Sequence, residues 1–174
     1  MVNDPLCWPG AGRVPGVLTV LSCPPPLCPH VEFAVAAALG VPAPLEWSGQ
    51  PARPGMAFAA LEWRAESGAA GRLASRLKGI GSLVFEVVEG PATGCDAERY
   101  AYTPELGLFH GSLAANGDIV VGEGRLRSLL EEAASRSALT SGLHQLIGTD
   151  WDAALEPLRQ GGDGAPVTWL RQTG

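Results

Sequence analysis

The chain has 174 residues, enough for one domain that buries about 70% of its unfolded surface. Hydrophobic residues make up 46% and charged residues 17%, a globular balance that argues against a wholly disordered chain. The net charge of −6 argues against nonspecific nucleic-acid binding, which needs a positive field, and against a polybasic membrane patch.

Residues 1–15 have neither the basic start nor the apolar stretch of a secretory signal and are predicted to form a flexible lead-in. No apolar run in the sequence approaches the roughly 20 residues that cross a bilayer. A cytoplasmic protein with no membrane contact is therefore expected, with a single α+β domain over residues 16–170.

Alternating apolar residues predict a central strand over residues 16–22. A helix is expected over residues 29–39, because Pro29 suits its first position, Gly40 suits its end, and Val31 and Val35 share one face. The other elements predicted for the first half are strands over 45–50, 56–64 and 83–89, and a helix over 69–77 capped by Ser67.

This order, β-α-β-β-α-β over residues 16–90, is that of the split βαβ, ferredoxin-like unit. Such a unit has an antiparallel sheet with two helices on one face, so the second face needs another cover. We expect residues 98–170 to supply it as a C-terminal β-hairpin with a helical extension. The helices predicted there, over 123–137 and 139–147, carry leucines at helical spacing, among them Leu126, Leu129 and Leu130, which are expected to face inward.

Cys28, His30 and Glu32 lie where the first strand passes into the first helix. Helix N-termini favour the thiolate form of cysteine, so Cys28 is a candidate nucleophile with His30 nearby. The plainer interpretation is structural, with Cys28 near the N-cap, His30 packing on the first turn and Glu32 stabilised by the positive helix end. Cys28 also follows Cys23 by five residues, but no second Cys/His pair at zinc-site spacing accompanies them.

His110 offers a further alternative, a metal site with His30 and Glu32, if the hairpin folds over the first helix. Residues two apart point in different directions on a helix, which argues against this site. We predict neither a metal nor a cofactor.

Ligand binding is the other chemistry that the residues suggest. The segment 67–72 follows a strand and opens a helix, so its backbone N–H groups and the side chains of Arg72 and Arg76 are candidates for holding a phosphate. Tyr100 and Tyr102 lie on the predicted hairpin, in a polar cluster that forms either an acid–base site or simply a hydrated face. A capped helix start and a hydrated face are the structural alternatives.

Six segments together resemble an actinobacterial family of unknown function, domain-of-unknown-function family 3145. They are LCPHVEF (27–33), WSGQP (47–51), TPELGLF (103–109), NGDIV (116–120), LEPLR (155–159) and GDGAPVTWL (162–170). The resemblance implies a cytoplasmic actinobacterial protein and supplies no catalytic residue. It also implies an accessory role in acyl or fatty-acid metabolism, because relatives are often encoded beside fatty-acid synthesis genes.

Two classes of function follow from these observations. The first is a non-enzymatic binding or regulatory accessory protein, which recognises a protein partner or a small ligand and has self-association as a homodimer among its options. The alternative is a small enzyme that uses Cys28, His30 and Glu32 on acyl or thioester substrates, or a His/Glu metal site. The lack of a catalytic motif favours the first class.

Overall fold

The structure is a computed structural model that describes residues 12–161. Its strands all belong to one sheet. They are β1 (Val14–Cys23), β2 (Ser48–Gly49), β3 (Ala57–Ala65), β4 (Val84–Glu89), β5 (Ala97–Thr103), β6 (Gly107–Leu113) and β7 (Ile119–Val120). The strand order is β2-β3-β1-β4-β5-β6-β7, and all neighbouring strands are antiparallel.

The helices fall between and after these strands. They are α1 (Cys28–Leu39), α2 (Ala69–Lys78), α3 (Glu123–Glu132), α4 (Arg136–Ile147) and α5 (Thr149–Gly161), with a short 3-10 turn at Pro25–Leu27 before α1. Among residues 12–161, no helix combines the length and hydrophobicity needed to cross a membrane. The predicted mixed α+β class with an antiparallel sheet is confirmed, and the predicted hairpin adds its strands to the same sheet.

The predicted lead-in lies mostly outside the described residues. The sequence also predicts a short strand over 167–170, which lies wholly outside them. At the end of the predicted lead-in, β1 begins at Val14, two residues before its predicted start. The predicted strand over 45–50 is wrong in extent, because Leu45 is buried but pairing with β3 is confined to Ser48 and Gly49.

Helices α1 and α2 cover one face of the sheet. Val31 and Val35 of α1 and Leu73 and Leu77 of α2 are fully buried, and they pack with sheet residues such as Phe85 in the main hydrophobic core. Burial of each such side chain stabilises the fold by about 1.5–3 kcal/mol. The predicted apolar stripe of the first helix is therefore its buried face.

Helix α5 covers the opposite face. Leu155 and Leu158 are buried there in a second core cluster with Leu21, Val84 and Phe109. The last described helix therefore closes this face of the sheet, and Leu155 and Leu158 are its buried side chains.

The buried side chain of Gln50 fastens α5 to the edge of the sheet. Its Nε2 donates to the Leu21 carbonyl at 2.7 Å and to the Leu158 carbonyl at 3.1 Å, while its Oε1 accepts from the Ala52 N–H at 3.0 Å. A buried amide group without hydrogen-bond partners lowers the stability of a fold. These hydrogen bonds therefore fix the positions of β1, α5 and the turn after β2 relative to one another.

The inward orientation predicted for the third helix is wrong. Neither α3 nor α4, both wholly within the described residues, contains a buried residue, and Leu130 is 67% exposed. The two helices pack on each other, with Leu129 filling the space beside Gly142. Because α5 already closes the second face of the sheet, the leucine stripe of α3 has no core to enter.

Candidate functional site

Cys28 is the first residue of α1 and is partly exposed. Its thiol donates to the sulfur of Cys23, and the two sulfur atoms are 3.9 Å apart. Cys23 is fully buried at the end of β1. Burial, with a smaller contribution from the neighbouring Cys28, raises the pKa of the Cys23 thiol to about 12.

The structure does not bring the predicted partners of Cys28 to its thiol. His30 is exposed on the first turn of α1, and the Glu32 carboxylate accepts a hydrogen bond from Trp47 Nε1 at 2.9 Å. An activated nucleophile requires a base within hydrogen-bond reach, about 2.6–3.2 Å. The Cys28 thiol donates to Cys23 instead, so the enzyme hypothesis stays a prediction, and within the described residues Cys28 has no base beside it to support that hypothesis.

His110 belongs to a different cluster, on the face of the sheet that α1 and α2 cover. Its ring stacks on Tyr100 of the neighbouring strand, with centroids 4.5 Å apart, and its Nε2 is 3.6 Å from Glu98 Oε1. Tyr100 donates to the other Glu98 oxygen at 3.0 Å. The hairpin register places Tyr100 opposite His110, which explains why these side chains meet.

The electrostatics of this cluster follow from its hydrogen bonds. The hydrogen bond with His110 lowers the pKa of Glu98, against the opposing effect of burial and with help from Tyr100. Burial and then the Glu98 charge raise the pKa of Tyr100, so its hydroxyl remains a donor at neutral pH. The arrangement is a carboxylate on a sheet face that accepts from Tyr100 and lies beside the ring of His110.

The alternative metal site is not formed. Across residues 12–161, no three His, Cys, Asp or Glu side chains come together in a way that could hold a metal ion. Of the three proposed ligands, Glu32 contacts Trp47 and His110 lies beside Glu98. These two side chains are therefore engaged in separate places.

A shallow open depression lies along α2. It is lined by Gly68, Gly71, Arg72, Ser75 and Arg76. Gly71 lies against Tyr100, since a Cβ added at Gly71 would be 3.1 Å from the Tyr100 hydroxyl oxygen. Three of the four predicted ligand-binding residues are therefore near one another, while the ring of Tyr102 stacks on Phe85 at 5.3 Å.

The N-terminus of α2 is occupied by Glu89, a residue that the sequence did not single out. Its two carboxylate oxygens accept from the Gly68 N–H at 2.6 Å and from the Ala70 N–H at 2.7 Å. Gly68, at φ 86°, is the N-cap in place of the predicted Ser67. Two of the backbone donors expected to hold a phosphate, the N–H groups of Gly68 and Ala70, therefore already hold a carboxylate.

An ion-pair network joins α5 to the sheet and was also missed from the sequence. Arg99 contacts Glu86 at 2.6 Å and Asp152 at 2.5 Å, while Arg159 contacts the same Glu86 at 2.8 Å. Phe109 lies beneath the Arg99 guanidinium, 5.8 Å from it. All the charges of this network are paired, so it holds the fold together and offers no free reactive group.

These observations define a mixed α+β protein with one seven-stranded antiparallel sheet, covered on one face by two helices and on the other by a third. Comparison with known families then identifies it further. The model of the family described as "Protein of unknown function (DUF3145)" matches residues 17–172, and the chain belongs to that family. No curated protein and no solved structure matches it.

Proposed function

We propose that the chain is a non-enzymatic binding module that works as a homodimer, with α3 and α4 as the surface that recognises the second copy. The observation that carries the proposal is the exposure of large apolar side chains in this region. Val120, Leu130, Leu143 and Ile147 are 45%, 67%, 39% and 43% exposed, and they lie on β7, α3 and α4. The core of the domain is closed without them, so their burial needs a partner.

The charges of α3 favour a second copy as that partner. Leu126 and Leu130 lie one turn apart on the same side of the helix. Arg127, which pairs with Glu123 of its own helix, and Glu131 lie beside them with the same spacing. Two copies of α3 in antiparallel contact would set Arg127 of each against Glu131 of the other. A two-fold interface needs a surface that complements itself in this way.

The mass of the protein in solution tests this proposal. We expect light scattering after size-exclusion chromatography to give twice the 18.0 kDa of one chain. Leu130→Ser should shift the protein to the monomer at the same concentration. Phe33→Ser is the matched control, since Phe33 is 76% exposed on α1 and outside this surface. A wild-type monomer at every concentration, or equal disruption by the control, would contradict the proposal.

The absence of enzymatic activity is part of the same proposal. It is supported by the separate engagement of Cys28 with Cys23 and of Glu32 with Trp47. A cytoplasmic location, an actinobacterial source and a link to acyl metabolism stay predictions from the sequence and its resemblance.

We also propose that the first four strands with α1 and α2 form a ferredoxin-like unit. The support is the strand order β2-β3-β1-β4, the antiparallel pairing of β1 with both its neighbours, and the burial of both helices in one core cluster. Superposition of an experimental structure on known ferredoxin-like domains would test this assignment. A failure to align β2 with the edge strand of such domains would reject it.

An anionic ligand at the depression along α2 is a second candidate function. It is favoured by the two guanidinium groups, Arg72 and Arg76, which border the same depression as the polar Ser75. Calorimetric titration with coenzyme A and with inorganic phosphate tests it, with Arg76→Gln as the variant and Arg64→Gln, exposed on β3, as the control. Binding that Arg76→Gln does not weaken would reject this site.

A further inference from the structure

We infer that Cys23 and Cys28 form a redox-active pair, in which hydrogen peroxide converts the two thiols to an intramolecular disulfide. This inference concerns the junction of β1 and α1 and does not depend on the proposed dimer. Two observations support the inference together. The two sulfur atoms lie close to each other, and Cys28 is more exposed to solvent than Cys23.

The geometry brings the two thiols close without bonding them. The sulfur atoms are 3.9 Å apart, and a disulfide bond is about 2.05 Å long, so they must approach by about 1.9 Å. The residues between them include three consecutive prolines, and residues 25–27 form a 3-10 turn. Because proline fixes φ, this connection restricts how far the end of the strand and the start of the helix can move apart.

The backbone of β1 is irregular at this point. Its pairing with both β3 and β4 shifts register after Val20, just before Cys23. Such an irregularity interrupts the ladder of hydrogen bonds and bends the strand locally. The small approach that the disulfide needs therefore falls where the sheet is least regular.

The difference in exposure assigns the two roles. Cys28 is partly exposed and can meet peroxide, whereas Cys23 is fully buried. Burial keeps the Cys23 thiol protonated, with its pKa raised to about 12, so it reacts second. Its thiol also donates to the carbonyl of Pro24 at 3.3 Å, which orients the sulfur next to Cys28.

The chemistry balances in two steps. The thiol of Cys28 reacts with hydrogen peroxide to give a sulfenic acid and one water. The thiol of Cys23 then attacks that sulfur, the S–S bond forms, and the hydroxyl group leaves with the Cys23 proton as a second water. The two thiols are oxidised by two electrons, which reduce the peroxide. The product ties the central strand of the sheet to the first turn of α1.

Peptide mapping of the full chain tests the inference directly. Trypsin cuts after Arg13 and Arg64 but not after Arg53, because Pro54 follows it, so one peptide, 14–64, contains Cys23 and Cys28 and no other cysteine. After treatment with peroxide, we expect this peptide to be lighter by two hydrogen atoms and to lose both sites of alkylation by iodoacetamide. Dithiothreitol should restore both sites.

Two variants distinguish the reaction of the cysteine pair from the reaction of either thiol alone. Cys28→Ser should leave Cys23 fully alkylatable after denaturation, because peroxide does not reach the buried sulfur. Cys23→Ala should take Cys28 on to the sulfinic acid, two oxygen atoms heavier, because no second thiol captures the sulfenic acid. If Cys23→Ala does not fold, the alkylation of the wild type and of Cys28→Ser is sufficient to test the inference.

Two results would overturn the inference. One is a wild-type peptide that keeps both alkylation sites at a peroxide concentration that oxidises free cysteine. The other is a wild-type peptide in which Cys28 becomes a sulfinic acid while Cys23 remains a thiol, since this would show that the two sulfur atoms do not meet.

Discussion

Glu89 anchors the start of α2 to the sheet, and its replacement by glutamine is expected to destabilise the fold. The side chain is only 3% exposed, and its two oxygens accept from the N–H groups of Gly68 and Ala70. These are among the amide groups that a helix start leaves without an intrahelical partner. A carboxylate at this position also interacts favourably with the positive end of the helix.

The size of the effect follows from the lost contacts. In Glu89→Gln, one oxygen becomes an NH₂ group, which faces a backbone N–H and cannot accept from it. A hydrogen bond to a charged group contributes about 1.5–3 kcal/mol, and an unsatisfied buried donor costs about 1–3 kcal/mol. The neutral side chain avoids the desolvation cost of the carboxylate, which offsets part of the loss. We expect a net loss of about 3 kcal/mol, or a fall in melting temperature of about 6–12 °C.

Differential scanning calorimetry at neutral pH measures this fall, and amide hydrogen exchange of Gly68 and Ala70 locates it. Exchange at these two amides should become faster in Glu89→Gln than in the wild type. The matched control is Glu62→Gln, an exposed glutamate on β3, which should leave the melting temperature unchanged. If both variants melt within about 2 °C of the wild type, the hydrogen bonds of Glu89 do not hold α2, and the reasoning is refuted.

Three further predictions concern the second face of the sheet. Glu86→Gln leaves Arg99 without one of its two carboxylate partners, so chemical denaturation should show a loss of about 2–4 kcal/mol in the free energy of unfolding, and an unchanged midpoint would contradict the network. Gly148→Ala should cost about 2–4 kcal/mol, because φ is 78° and the new Cβ would be 2.8 Å from the Phe109 ring; a fully stable variant would show that the backbone can rearrange there. Burial alone would raise the pKa of Asp152, but the hydrogen bond and charge of Arg99 outweigh it and lower that pKa. The stability from this carboxylate is therefore present above about pH 4 and lost as the pH falls through the lowered pKa, and urea denaturation at pH 7 and pH 3 should differ less in Asp152→Asn.

Local sequence patterns were sufficient to predict most helices and strands in the first half of the chain. The helix predicted over residues 29–39 is α1 at Cys28–Leu39, and Gly40 ends it with φ of 72°. Both its apolar stripe and its glycine cap depend on residues within a few positions of each other. Alternating apolar residues likewise identified β1, β3 and β4 to within about two residues.

The same kind of pattern failed for α3, and the reason is physical. A row of leucines at helical spacing shows that one side of a helix is apolar, but the row is the same whether that side meets the core or another chain. In this fold α5 contributes Leu155 and Leu158 to the second face, so Leu130 is left exposed. Which of two amphipathic helices enters the core is decided by the path of the chain after β7.

The candidate residues show the same division. The sequence singled out Cys28, and the proximity of Cys23 follows from a short connection that the sequence already displays. The meeting of Tyr100 with His110 depends on the register of β5 and β6, which only the assembled sheet provides. The role of Glu89 was not visible at all, because a glutamate at the end of an apolar strand carries no local sign of a helix start twenty residues earlier in the chain.

The sequence by itself determined the α+β class, the family, and the positions of the helices and strands that depend on neighbouring residues. Tertiary structure alone decided which helix closes the second face, where the carboxylates of Glu86 and Glu89 are placed, and which apolar side chains remain exposed. The physical reason is that local pattern is set by contacts a few residues apart, whereas these features arise from contacts between elements distant in sequence, and many arrangements of those elements satisfy the same local pattern.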